Sequence, residues 1–177
     1  MVKFIDDFLN GITMYRLMLY VLIVLVAAAI VLSSVGALPF KPVSLLLSTF
    51  FLTAACWAAN TIFAKVFKAQ TNLESVHITA LILTLIITPL NSTGEILSLG
   101  GISVLAVAGK FFLAIGRKHV FNPAAFAVAL APIIFGFVGA SWWVGTAWMF
   151  PFVLAGGLLI VRKVRRFSLM LGYIITA

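Results

Sequence analysis

The sequence has 177 residues, of which 64% are hydrophobic and 9% are charged, and its mean hydropathy is +1.24. Soluble domains are about 45–50% apolar and about 25% charged, so this composition excludes an ordinary soluble domain and indicates a membrane protein. The net charge of +8 does not indicate nucleic-acid binding, because the basic residues fall in short gaps between apolar runs, where membrane orientation signals lie.

Residues 1–16 form a first unit, which we predict to lie in the membrane interface. The stretch "VKFIDDFLNGITMYR" carries apolar residues at helical spacing, as an amphipathic helix does. Asp6 and Asp7 exclude a cleavable signal peptide there. Residues 17–177 form the second unit, a transmembrane domain that ends inside the apolar run "LMLGYIITA", so we expect it to continue beyond residue 177.

Seven apolar segments follow one another in this second unit, and they predict an all-α polytopic membrane protein. They lie at about Leu17–Leu38, Pro42–Ala64, His77–Leu90, Leu97–Ile115, Phe121–Gly139, Thr146–Val161 and from Ser168 onward. With a cytoplasmic N-terminus, ten of the eleven cations between segments fall on the cytoplasmic side, as the positive-inside rule requires. On the outer side, Trp142, Trp143 and Trp148 are predicted to form an aromatic belt.

The third segment is short. Its 14 residues extend about 21 Å as a helix, against a hydrocarbon core of about 30 Å, which favours a half-helix completed by irregular backbone or a re-entrant segment. His77, Thr84, Thr88 and Asn91 would lie within about 40° of one line on that helix. This polar stripe either lines a site in the bundle interior or consists of hydroxyls bonded to their own helix, with His77 at the interface.

Two features mark the region from Lys110 to Asn122. Lys110 is the only cation inside an apolar segment, so it is either a functional residue or a lysine that extends its amine to the headgroups. Asn122-Pro123 predicts a helix start, because Asn caps well and Pro suits the first turn. Beside Arg117, Lys118 and His119, this start is either an anion-attracting corner suited to phosphate or simply a capped membrane helix.

Several kinds of chemistry are disfavoured. The sequence has no Ser-His-Asp set, no carboxylate pair within a segment, no Gly-rich phosphate signature and no histidine pair spaced to ligate haem. Its one cysteine, Cys56, excludes an internal disulfide. Hydrolysis and carboxylate-based proton pumping are therefore not expected.

Three stretches resemble a known family: "NLESVHITALILTLIITP", "GKFFLAIGRKHVFNPAAFA" and "GGLLIVRKVRRF". The family is that of the related membrane proteins lettered D in the Rnf electron-transport complex and B in the Na⁺-translocating NADH:quinone reductase. The similarity is greatest to short bacterial members that precede a ferredoxin-reductase-like flavin and nicotinamide domain. It runs from about Asn60 to Phe167 and is most specific between Lys110 and Ala125.

This resemblance implies a multi-pass protein of the bacterial cytoplasmic membrane, forming part of a larger inverted-repeat bundle like that of urea transporters, with a short third helix. It implies a flavoprotein that moves electrons across the bilayer as the membrane part of an NAD(P)H-linked oxidoreductase, fed by a reductase domain in the same chain or as a partner. The alternatives are a channel or transporter for a small neutral solute or flavin, and a purely structural membrane component.

The resemblance also implies site residues. Lys110, Phe111 and the run Phe121–Ala124 match family positions, and Thr79 matches the polar residue at the head of the third helix. Thr146 lies where larger members attach FMN covalently, but this chain has "SWWVGT" in place of their Ser-Gly-Ala-Thr, so FMN or another flavin is expected to bind non-covalently. The candidate flavin-binding residues are Thr79, Thr84, Lys110, His119, Asn122 and Thr146.

Overall fold

A computed structural model describes residues 2–70, 72–90, 95–115, 118–119, 121–136 and 140–176, and this part of the chain is almost wholly helical. The helices are α1 Val2–Gly11, α2 Met14–Ser34, α3 Pro42–Phe67, α4 Leu73–Ile86, α5 Glu95–Phe112, α6 Pro123–Phe135, α7 Phe150–Val164 and α8 Phe167–Thr176. A 3-10 turn covers Trp143–Gly145, and two short strands, β1 Ala114–Ile115 and β2 Lys118–His119, pair antiparallel.

Three of the described helices are long and apolar enough to cross a membrane: α2 with 21 residues, α3 with 26 and α5 with 18. At 1.5 Å per residue they extend about 27–39 Å, which matches a hydrocarbon core of about 30 Å. Each of the other predicted apolar segments contains one shorter helix, among α4, α6, α7 and α8. Length and composition thus identify three candidate spans rather than seven.

The chain between α1 and α2 turns at Thr13. Its hydroxyl accepts a hydrogen bond from the Arg16 amide at 3.3 Å, which caps the first turn of α2. The predicted unit 1–16 is therefore a separate helix, α1, followed by the beginning of α2. α1 packs on α7, because Leu9 is buried and the side chain of Asp6 bonds Arg162.

The helix α4 lies at the centre of the bundle and is buried on opposite faces. Ala80 and Leu83 contribute to a core with α3, α5 and α6. Leu81 and Leu85 contribute to a second core with α2, the 3-10 turn and Met149, just before α7. A helix that packs on both sides needs apolar residues all round, which explains why its sequence shows little amphipathic pattern.

The observed bounds of α4 correct the prediction for the third segment. The helix begins at Leu73, four residues before His77, because the Asn72 side chain accepts a hydrogen bond from the Glu74 amide at 2.8 Å. It ends at Ile86, and the backbone from Ile87 to Leu90 is not helical. A short helix followed by four residues of irregular backbone is observed.

Candidate functional site

Among the described residues, Lys110 is the buried cation. Its side chain is 8% exposed, and its Nζ donates to the Ser75 carbonyl at 2.8 Å and to Ser75 Oγ at 3.2 Å. Within the described residues, ion pairs join Arg16 to Glu74 and Arg162 to Asp6, and none includes Lys110. Burying an ammonium group without a carboxylate is costly, so its position against α4 needs a compensating interaction.

Ser75 lies in the first turn of α4, and its carbonyl also accepts the Thr79 hydroxyl at 2.9 Å. Lys110 therefore ties the last turn of α5 to the beginning of α4. We call this part of the molecule, where α4 and α6 begin and α5 ends, the Lys110 end of the bundle.

Two helix N-termini lie at the Lys110 end. The α4 terminus is capped by Asn72, and the α6 terminus is capped by Asn122, whose Oδ1 accepts from the Ala124 and Ala125 amides at 3.0 and 3.4 Å. The first turn of α6 is placed there by Phe126, since a Cβ built on Gly109 would lie 3.0 Å from its ring. Both helix termini carry partial positive charge, and they add to the positive potential of Lys110.

The surroundings of Lys110 combine small polar groups with aromatic rings. On α3, Cys56 and Asn60 are buried, and Cys56 lies beside Ser103 of α5. Four phenylalanines lie where α3 and α5 end, with ring centroids 5.3–6.2 Å apart: Phe63, Phe67, Phe111 and Phe112. Sequence reasoning did not single out the four phenylalanines as a group or Ser75 as the partner of Lys110, although Phe111 and Phe112 directly follow Lys110.

The hydroxyls predicted to face a site are bonded within their own helix. Thr84 is buried and donates to the Ala80 carbonyl at 3.0 Å, as Thr79 does to Ser75. His77 Nδ1 lies 2.8 Å from the Leu73 carbonyl. The prediction that Thr88 continues this stripe is wrong, because the helix ends at Ile86. Asn91 lies outside the described residues.

Two residues of the predicted basic cluster, Lys118 and His119, form the strand β2. The backbone of His119 pairs with Ala114 in the short antiparallel ladder, and Lys118 pairs with Ile115. The side chains of Lys118 and His119 lie outside what the structure describes, and so does Arg117. The predicted contribution of His119 to a flavin site therefore stays a prediction.

Thr146 lies at the opposite end of α4 from Lys110. The residues just before it, 141–143, bond Ile86 and Ile87, and Ile86 lies eleven residues along the helix from Ser75, which corresponds to about 16 Å. Its hydroxyl oxygen is buried and has no hydrogen-bond partner among the described residues. The structure brings Thr79, Lys110 and Asn122 to one end and leaves Thr146 at the other.

The backbone at and after the end of α4 is hydrogen-bonded by residues 141–143 and by Ser48 of α3. The Ser141 and Trp142 amides donate to the Ile86 carbonyl at 2.9 and 3.1 Å, and Trp143 Nε1 donates to the Ile87 carbonyl at 2.9 Å. The Leu90 amide donates to Ser48 Oγ at 2.8 Å. Backbone groups that lie outside helices and sheets are tolerated in an apolar bundle only when other protein groups bond them in place of water.

Trp143 corrects the predicted aromatic belt. Its side chain is 4% exposed and packs edge-on against Phe40, with ring centroids 5.6 Å apart. Trp142 and Trp148 are 60% and 62% exposed, as belt residues would be. Trp143 is instead a core residue, and its indole N–H donates to the Ile87 carbonyl.

The donor set at the Lys110 end suits an anionic group better than a cation. Lys110 has three N–H donors, of which two serve Ser75, and the Asn122 oxygen is already used as a cap while its NH₂ group can only donate. No group of three metal-ligating side chains occurs among the described residues. An anionic oxygen, such as that of a phosphate, matches these donors.

Comparison with protein-family models, with curated proteins and with solved structures found no match for this chain.

Proposed function

We propose that this chain is a multi-pass domain of the bacterial cytoplasmic membrane, with its N-terminus in the cytoplasm, that binds FMN or another flavin without a covalent bond. In this proposal it passes electrons across the bilayer and receives them from an NAD(P)H-dependent reductase domain in the same chain or a partner. The observation that carries the proposal is the buried Lys110, bonded to Ser75 where α4 and α6 begin.

A buried lysine without a carboxylate partner is stabilised when an anion binds beside it. The third N–H of Lys110 remains for such a ligand, and the two capped helix starts increase the local positive potential. The phosphate of FMN is an anion of this kind. Lys110 and Asn122 would hold it, while Thr79 and Thr84, which donate to their own helices, would offer only acceptor oxygens.

The aromatic cluster supports a flat ligand at the same end. Phe67 and Phe111 are stacked, with centroids 5.7 Å apart and an angle of 24° between their planes. An isoalloxazine ring stacks on such faces and loses water when it does. A bound flavin supplies the chemistry, since it accepts two electrons from a nicotinamide and releases them one at a time.

The placement of the cations supports the proposed orientation. Arg16 bonds Glu74 at the start of α4, so α2 begins at the Lys110 end, and α3 ends there with Lys65 and Lys68. Lys41 precedes α3 and lies at the opposite end of that helix. One end of the bundle is therefore basic, as expected for a cytoplasmic face. The family resemblance implies a short third helix, and α4 has 14 residues.

The visible absorption spectrum of the purified protein tests the proposal. We expect bands of an oxidised flavin that bleach with dithionite and return in air. Lys110→Met should lower the flavin content at least tenfold, because the buried methionine cannot bind an anion. Lys65→Met, which removes an exposed cation from the last turn of α3, should leave it unchanged.

Because Lys110→Met could also disturb packing, Lys110→Arg is measured beside it. The arginine retains the charge and should restore most of the flavin content if the charge binds the ligand. A colourless wild-type protein, or equal flavin content in the Lys110→Met and Lys65→Met variants, would contradict the proposal. Absence of fluorescence in the denatured band on a gel is expected for a non-covalent flavin.

A second candidate function is transport of a small neutral solute or of the flavin itself. It is favoured by the unwound segment from Ile87 to Leu90, since broken helices form substrate sites near the middle of many transporters. Uptake of labelled urea or riboflavin into liposomes that contain the protein would support it. Uptake no faster than in protein-free liposomes would exclude it for these solutes.

A further inference from the structure

The junction of α7 and α8 is strongly basic and is followed by an exposed apolar helix. Four basic residues occupy five positions: Arg162, Lys163, Arg165 and Arg166. Arg165 has a left-handed backbone, with a φ of 56°, and its amide donates to the Arg162 carbonyl at 3.1 Å, which ends α7. No residue of α8 is buried.

The helix α1 is fixed beside this junction. The Arg162 guanidinium binds Asp6 with two hydrogen bonds, from Nε to Oδ1 at 2.8 Å and from Nη2 to Oδ2 at 3.0 Å. Lys163 donates to the Leu9 carbonyl. These contacts hold α1 against the end of α7 and orient both cations.

A pocket of about 600 Å³ lies between α1 and the junction. It is lined by Asp6, Arg162, Arg165, Phe167 and Ser168. Among the described residues no ion pair joins Arg165 or Arg166 to a carboxylate, so the four cations outnumber the acids Asp6 and Asp7 of α1.

The lining has two chemical characters. The Arg165 guanidinium presents planar N–H donors, which suit phosphate oxygens, whereas the paired donors of Arg162 bond Asp6. Phe167 begins α8, which is exposed on all sides, with Leu169 and Ile175 64% and 82% exposed. A free phosphate would use the Arg165 guanidinium alone, whereas a phospholipid would also cover the apolar surface of α8.

We propose that this pocket binds the headgroup of an anionic phospholipid, with its phosphate at Arg165 beside the Asp6–Arg162 ion pair and its acyl chains along α8. The inference depends on the membrane placement proposed above but not on the flavin. Clusters of basic residues directly beside a membrane helix attract anionic lipids, and a fixed pocket adds a defined position for the headgroup.

Native mass spectrometry of the detergent-solubilised protein tests this. The protein is titrated separately with phosphatidylglycerol, phosphatidylcholine and inorganic phosphate. We expect one phosphatidylglycerol to bind at least tenfold more tightly than phosphatidylcholine. Arg165→Gln combined with Arg166→Gln should weaken it about 25-fold, since each basic residue near an anionic surface contributes about fivefold.

The matched control is Lys65→Gln combined with Lys68→Gln. Lys68 is also an exposed cation in a left-handed helix cap, with a φ of 49°, but neither Lys65 nor Lys68 lines the pocket, so this pair should leave binding unchanged. Equal binding of the two lipids, or an equal loss in both double variants, would overturn the proposal. Displacement of the lipid by submillimolar phosphate would assign the site to a free anion and would also overturn it.

The same spectra report the mass of any retained flavin. A protein without flavin that still binds phosphatidylglycerol selectively would contradict the proposed function and support the lipid site. A flavin-bound protein that does not distinguish the two lipids would support the proposed function and contradict the lipid site.

Discussion

Replacing Trp143 by Phe tests how the unwound segment after α4 is stabilised. The indole N–H donates to the Ile87 carbonyl at 2.9 Å, and the two residues are 4% and 2% exposed. Phenylalanine keeps an aromatic ring next to Phe40 but has no donor. The carbonyl of Ile87 would then lose a partner in a place that water does not reach, which costs about 1–3 kcal/mol.

The assay is equilibrium unfolding in mixed micelles, with the free energy of unfolding taken from the transition. Trp142→Phe is the matched control, because Trp142 is 60% exposed and a surface change of this kind alters stability by at most about 0.5 kcal/mol. If Trp143→Phe costs no more than Trp142→Phe, then the indole bond does not stabilise the segment and our account of the broken helix is wrong.

A second substitution makes the test sharper. Ser48→Ala removes the acceptor of the Leu90 amide, at the other end of the same unwound segment. Because both bonds hold one short stretch of backbone, the double variant should cost less than the sum of the two single changes. Full additivity would mean that the two bonds act on independent structures.

Two further predictions concern the helix ends. Asn122→Ala should lower the free energy of unfolding by about 1 kcal/mol, since the Ala124 and Ala125 amides lose their acceptor, while Asn122→Asp should preserve it in the same unfolding assay. The hydrogen bond from Arg162 holds the pKa of Asp6 below its ordinary value, so the contact stabilises α1 above about pH 4 and is lost as the pH falls through the lowered pKa. Amide hydrogen exchange of α1, normalised to α2, should therefore speed up in acid. Asp6→Asn should show the faster exchange already at pH 7. An α1 that is equally protected in this variant would contradict a stabilising role for the bond between Asp6 and Arg162.

The sequence around Lys110 allows two positions for its side chain. Five residues from the end of an apolar segment, a lysine can extend its amine outward or fold it inward. The observed side chain is buried and bonds Ser75, so it does not extend to the surroundings of the bundle. The inward position is what makes Lys110 a candidate for ligand binding.

Local sequence signals predicted the elements well where the determinant is also local. Asn122-Pro123 begins a helix as predicted, because the cap and the first-turn proline act within three residues. An Asn cap also marks the start of α4 at Asn72, with Glu74 in the first turn, four residues before the apolar run begins at His77. Thr84 bonds its own helix, which is the local alternative that the sequence left open.

Residue order alone determined that this chain is helical, very apolar and basic in its connecting segments, because helix caps, hydropathy and charge act over a few neighbouring residues. The tertiary structure decided which polar groups meet. Lys110 finds Ser75 35 residues away, Trp143 finds Ile87 at a separation of 56, and Arg162 finds Asp6 at 156. Such pairs depend on how α4 packs between two cores and on where the chain closes on itself, and no periodicity in the sequence encodes those distances.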